Sequence, residues 1–229
     1  MPNPFFLLCD SDVLIQLLST KQILLLRDLT RLYGIQATIV PEVEVEVCWH
    51  RKFGDRFQQN LDKAIHANVI ARYNEKLLAQ LCGVGSQHID ASIQQLGAEY
   101  GKRVGRGEAY TFAAATILRQ PAFSHDRDAL DTLMASGLQV PTTVLRVFDL
   151  LALHYQTGLL TEAACDHVRQ EILKVPTEFV PRAFRNSSFR DGLRNFVPRL
   201  QDCAFPPVGM PAPGTGPALY ATPIVLAKV

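Results

Sequence analysis

The sequence predicts a three-layer α/β/α sandwich around a central, mainly parallel sheet, followed by a C-terminal extension. Three observations carry this reading. Short apolar runs alternate with helical stretches through the first two-thirds of the chain, the pattern of βαβ crossovers. Several of those runs lead straight into acids, at the strand ends where open α/β sheets bind ligands. Beyond Pro176 the alternation stops, and Arg, Phe, Pro and Gly dominate.

In chain order, Phe5–Cys9 reads as a buried strand and 13–18 as the opening of a helix. Residues 21–33 have apolar positions at helical spacing and stop at Gly34, a C-cap residue. "IQATIVP" is a strand closed by Pro41. A helix runs from Glu42 into the fifties, breaks near Gly54 and resumes through Ala67. "VIARY" (69–73) is a short strand, and 75–81 and 89–100 are helices. After Gly105 and Gly107 comes an alanine-rich helix, 108–118. "PAFSHD" (121–126) is a strand ending in acid, followed by a helix over 129–136. "LQVPT" (138–142) is the last strand, and 144–155 and 161–174 are helices. Residues 1–175 are thus one domain, and 176–229 an appendage.

At 229 residues and 48% hydrophobic, the chain can bury a sizeable core. A net charge of +1 is no global basic signature, so any nucleic-acid contact rests on local patches. Five scattered cysteines, with no C-x-x-C pair, fit neither a zinc site nor a disulfide framework. Reduced thiols in a cytoplasmic protein are expected. The apolar start has no basic flank and is interrupted by Asp10 and Asp12, so neither a signal peptide nor a membrane partner is expected.

Carboxylates cluster at four places: Asp10/Asp12, Glu42-Glu44-Glu46, Glu108 and Asp126/Asp128. In a parallel sheet the strand ends share one edge, so these acids converge. Crowded carboxylates raise one another's pKa. A divalent cation relieves the repulsion, and an all-oxygen donor set suits Mg²⁺ or Mn²⁺. Such sites serve phosphodiester chemistry by binding the phosphate, acidifying a water and stabilising the leaving oxygen. Each acid also has a plainer role as a helix cap or first-turn residue. Lone His125 reads as structural.

"LLCDSDVLI", "IVPEVEVEV", "GRGEAYTFAAA" and "FSHDRDAL" together resemble the four sequence blocks of PIN-domain ribonucleases, the family that includes VapC-type toxins. The resemblance spans about residues 5–158. It implies a PIN-like fold and a metal-dependent endoribonuclease. Asp10, Glu46, Glu108 and Asp126 would be the catalytic metal ligands, with Glu42 an alternative to Glu46 in register. Glu42 and Glu46 share a helix face, and Glu44 points elsewhere. Asp12, Asp128, Ser11 and Ser124 would support them. An RNA substrate and an antitoxin-like protein partner are further implications. Lys52, Arg56, Lys102, Arg103 and Arg106 are candidates to guide the RNA backbone.

Two rivals stand beside this reading. "CDSD" also resembles the first motif of haloacid-dehalogenase-type phosphatases, in which Asp10 would be the nucleophile; Val13 and Leu14 depart from that pattern, and Gly107-Glu108-Ala109 has no place in it. The other is a non-catalytic interaction module on the same fold. In the extension, Arg182, Arg185, Arg190, Arg194 and Arg199 interleave with Phe184, Phe189 and Phe196. Arginines on phosphates with phenylalanines on bases would suit single-stranded RNA. The phenylalanines could equally form one packed helix face. Residues 205–217 are Pro/Gly-rich, and apolar Ile224, Val225 and Leu226 suggest a partner or a homodimer.

Overall fold

A computed structural model describes residues 5–50, 54–74, 86–141, 143–175 and 180–196. Its elements are β1 (Phe5–Cys9), α1 (Ser11–Ser19), α2 (Leu24–Tyr33), β2 (Ile35–Ile39), α3 (Pro41–Cys48), α4 (Gly54–His66) and β3 (Ile70–Arg72). There follow α5 (Ser86–Tyr100), α6 (Arg106–Leu118), β4 (Ala122–Phe123), α7 (Arg127–Ala135), β5 (Val144–Leu145), α8 (Val147–Gln156) and α9 (Glu162–Leu173). Two short helices, α10 (Arg182–Arg185) and α11 (Phe189–Arg194), close the described chain. The helix expected at 75–81 lies outside the described residues.

The five strands form one parallel sheet in the order β3-β2-β1-β4-β5 with helices on its faces, the expected three-layer α/β/α sandwich. The chain builds outward from β1 in one direction through β2 and β3, then returns to add β4 and β5 on the other side. The order therefore reverses at β1, and the crevice outside its carboxyl end is where such sheets bind ligands. β1 is buried on both faces, which is why Phe6, Leu7, Leu8 and Cys9 run apolar without alternation.

Several element ends lie a few residues from the sequence expectation, and the largest shift is at the last strand. The last strand is Val144–Leu145, not 138–142, and the helix expected from 144 starts at Val147. Val144 and Leu145 pair with Ala122 and Phe123, and the sheet takes them from an apolar run that reads as helix. The following helix lacks the usual Ser, Thr or Asp cap. Arg146 occupies that place, and Asp149 accepts from its backbone N–H at 2.8 Å.

The described part of the extension packs into the core. Phe184 and Phe189 are fully buried, and Phe184 stacks on Phe148 of α8 with centroids 4.4 Å apart. Phe196 meets Phe184 edge-on at 5.0 Å, and the Arg146 guanidinium lies over its ring at 4.5 Å. Arg169 of α9 donates to the Phe184 carbonyl at 3.1 Å. Gly192 permits this approach, because a Cβ there would stand 2.4 Å from the Phe184 ring. These three phenylalanines are core contacts, and their faces are not open to bases.

Cys9 and Cys165 are buried free thiols and Cys48 is a half-buried one. Burial pushes the Cys9 thiol far up and Cys165 to about 12, so both are inert. No helix among the described residues is long and apolar enough to cross a membrane.

Candidate metal centre

β1 and β4 end side by side, with Cys9 opposite Phe123, so Asp10 and Ser124 leave the sheet together. The Asp10 N–H donates to the Phe123 carbonyl at 2.9 Å. Its side chain is fully buried and accepts from the Ser11 N–H at 2.7 Å, which makes Asp10 the N-cap of α1. The Ser124 hydroxyl donates to Asp10 Oδ2 at 3.0 Å and accepts from the Asp126 N–H at 3.1 Å. Asp126 in turn caps α7 by accepting from the Ala129 N–H at 2.8 Å. At both junctions the acid singled out in the sequence is also the cap of the helix that follows.

α3 and α6 bring the remaining acids. The Ser11 hydroxyl donates to Glu46 Oε2 at 2.8 Å, and the Gly107 N–H donates to Glu46 Oε1 at 2.7 Å. The start of α6 can come this close only because residue 107 has no side chain: a Cβ would lie 2.2 Å from Glu46 Oε2. Docking α6 on Glu46 sets Glu108, the next residue, beside Asp10 and Asp12. One carboxylate oxygen from each of Asp10, Asp12 and Glu108 lies within 4.8 Å of the others.

The closest trio therefore contains Asp12, where the expected set had Glu46 and Asp126. Those two flank it, Glu46 through Ser11 and Gly107 and Asp126 through a hydrogen bond with Glu108. Glu42 turns toward Arg106, 3.8 Å away, and Glu44 forms a bidentate pair with Arg72. Asp128 is exposed in the first turn of α7. His125 is buried with Nε2 2.8 Å from Gln16 Oε1, a structural setting.

The trio's electrostatics follow from its burial. Asp10 is raised to about 7, chiefly by desolvation and then by Asp12. Asp12 is raised to about 6 by desolvation, Asp126 and Glu46. Glu108 reaches about 9 through desolvation, Asp10 and its hydrogen bond to Asp126, which holds the proton on Glu108. Three clustered oxygen donors, one fully and two partly buried, that resist ionising together are the donor set a hard divalent cation fits. The sign of the linkage is definite. An acid whose pKa is higher folded than unfolded stabilises the fold at low pH and loses that contribution as pH rises through the folded value. The metal-free chain should therefore lose stability from about pH 4 upward, through about pH 7 for Asp10 and about pH 9 for Glu108. Thermal melts at pH 5 and pH 8 check this, with Mg²⁺ expected to raise the melting temperature more at pH 8. A larger metal effect at pH 5 would contradict the assignment.

Among the expected backbone-guiding cations, Arg106 stands nearest the acids, two residues before Glu108, and its side chain is 76% exposed. Lys102 and Arg103 both pair with Glu99. Arg56 lines a groove of about 500 Å³ with Leu18 and Lys21, at the far end of α1 from Asp10. Lys52 lies outside the described residues. Compared with protein-family models, curated proteins and solved structures, the chain matches none.

Proposed function

We propose that this chain is a PIN-type, Mg²⁺- or Mn²⁺-dependent endoribonuclease acting in the cytoplasm, where its free thiols stay reduced. The observation that carries the reading is the cluster of Asp10, fully buried, with the half-buried Asp12 and Glu108, at the point where the strand order reverses. Asp10, Asp12 and Glu108 would hold the cation, with Glu46 and Asp126 next to them. When bound, the cation supplies Lewis acidity toward the scissile phosphate and lowers the pKa of a water.

The chain's own residues do the rest. Ser124 and the Ser11 N–H fix both oxygens of Asp10, so its carboxylate needs no reorganisation to act as a ligand. Glu46 anchors α6 and thereby aims Glu108. Glu108, whose carboxyl is pushed up to about 9, would give up its proton on holding the cation. Cleavage leaves 5′-phosphate and 3′-hydroxyl ends.

The test is incubation of labelled single-stranded RNA with the full chain in Mg²⁺ or Mn²⁺. Internal cuts with 5′-phosphate ends are expected, and excess EDTA should abolish them. Cleavage that survives EDTA, or release of inorganic phosphate with the chain intact, overturns the reading.

A further inference from the structure

Trp49 is the sole tryptophan of the chain and is 81% exposed. So large an apolar ring is usually buried over most of its surface. One turn earlier on α3, Val45 is 57% exposed, and the Trp49 ring makes no hydrogen bond or ring contact with any described residue. The helix explains where this apolar patch lies. At about 100° per residue, Val43 and Val47 face the core, and Trp49 falls between Val45 and the line of Glu42 and Glu46, about 60° from Glu46. It stands about 4.5 Å beyond Glu46 along the axis. The patch therefore borders the carboxylate that docks α6.

We propose that Trp49 is a stacking platform for an unpaired base of single-stranded RNA whose phosphodiester lies at the carboxylate site. This rests on the nuclease reading and names the form of its substrate. A base in a duplex has both faces covered, so only a single strand can offer one to the indole. Glu46 and the carboxylates of the trio repel a polyanion until a cation neutralises the centre. Stacking on Trp49 consequently requires the divalent ion. A protein segment covering Val45 and Trp49 through apolar contact would require none.

Intrinsic fluorescence reads this residue alone. The full chain in Mg²⁺ is mixed rapidly with oligouridine, with an abasic oligomer of equal length, and with duplex RNA, while anisotropy of labelled strands follows binding. The expected result is the red emission of a water-exposed indole, quenched by oligouridine only when Mg²⁺ is present, and far less by the abasic strand or duplex. Trp49→Leu should raise KM for single-stranded RNA about tenfold with kcat little changed, and Trp49→Phe should recover most of the loss. Binding or cleavage without quenching overturns the platform and leaves the nuclease reading intact. Absence of both binding and cleavage removes the two together. Blue emission from the free chain, or metal-independent quenching, means protein covers this face and overturns the proposal.

Discussion

The Asp10→Asn variant is expected to lose several orders of magnitude in RNA cleavage and yet to melt at a higher temperature than wild type when metal is absent. Both effects come from one carboxylate. Asp10 is fully buried and is a member of the trio, so losing its charge removes the proposed ligand beside which Asp12 and Glu108 stand. The local frame survives the change. Asn retains an oxygen for the Ser11 N–H, and its amide can donate to the Ser124 hydroxyl, which already accepts from Asp126. What disappears is a carboxylate whose folded pKa is raised to about 7. At pH 8 that charge costs roughly 4 kcal/mol. Its removal should raise the melting temperature by about 8–16 °C. Added Mg²⁺ should shift wild type upward and the variant little. Cleavage by Asp10→Asn at the wild-type rate would sink the metal mechanism. A lower melting temperature would show instead that the carboxylate is needed as a cap.

The largest stability loss is expected from Phe184→Ala. Phe184 is fully buried among Phe148, Phe189 and Phe196, and Arg169 binds its carbonyl. Removing a ring from such a site costs about 3–5 kcal/mol, because the stacked neighbours cannot close over the space. Chemical denaturation should show that loss. Arg190→Ala, on the exposed side of α11, should change stability by less than about 0.5 kcal/mol. Near-equal stability of Phe184→Ala and wild type would mean that residues 180–196 are not part of the core.

The parts of the fold that depend on local signals were legible in the sequence. β1 ends at Cys9 because the apolar run stops there, and Gly34 ends α2 in the left-handed conformation its position suggested. β5 was hidden because Val144 and Leu145 are continuous with the apolar spacing of α8, and Arg146 is an unusual cap. At the site, Asp10 and Glu108 could be read from strand-acid and glycine-acid junctions. The closeness of Asp12 could not, since it depends on how the first turn of α1 meets α6. Gly107 carried a readable signal, a glycine directly before an acid at a helix start, but its partner Glu46 lies 61 residues away. The extension's phenylalanines left two readings open because helical spacing alone does not say whether a face meets core or ligand.

The strand order has a consequence for how the molecule comes into being. β1, β2 and β3 pair in sequence order, so that half of the sheet can close through comparatively short loops. β4 returns to β1 from far along the chain, and the bond from Ser124 to Asp10 spans 114 residues. Closing a contact so distant in sequence carries a larger loop entropy than pairing β1, β2 and β3 does. Until that contact closes, Asp10 has neither Glu108 nor Asp126 beside it and is an ordinary helix cap. The mutual repulsion of the acids falls on that closure. A cation that neutralises them acts on the closure as well as on the finished site.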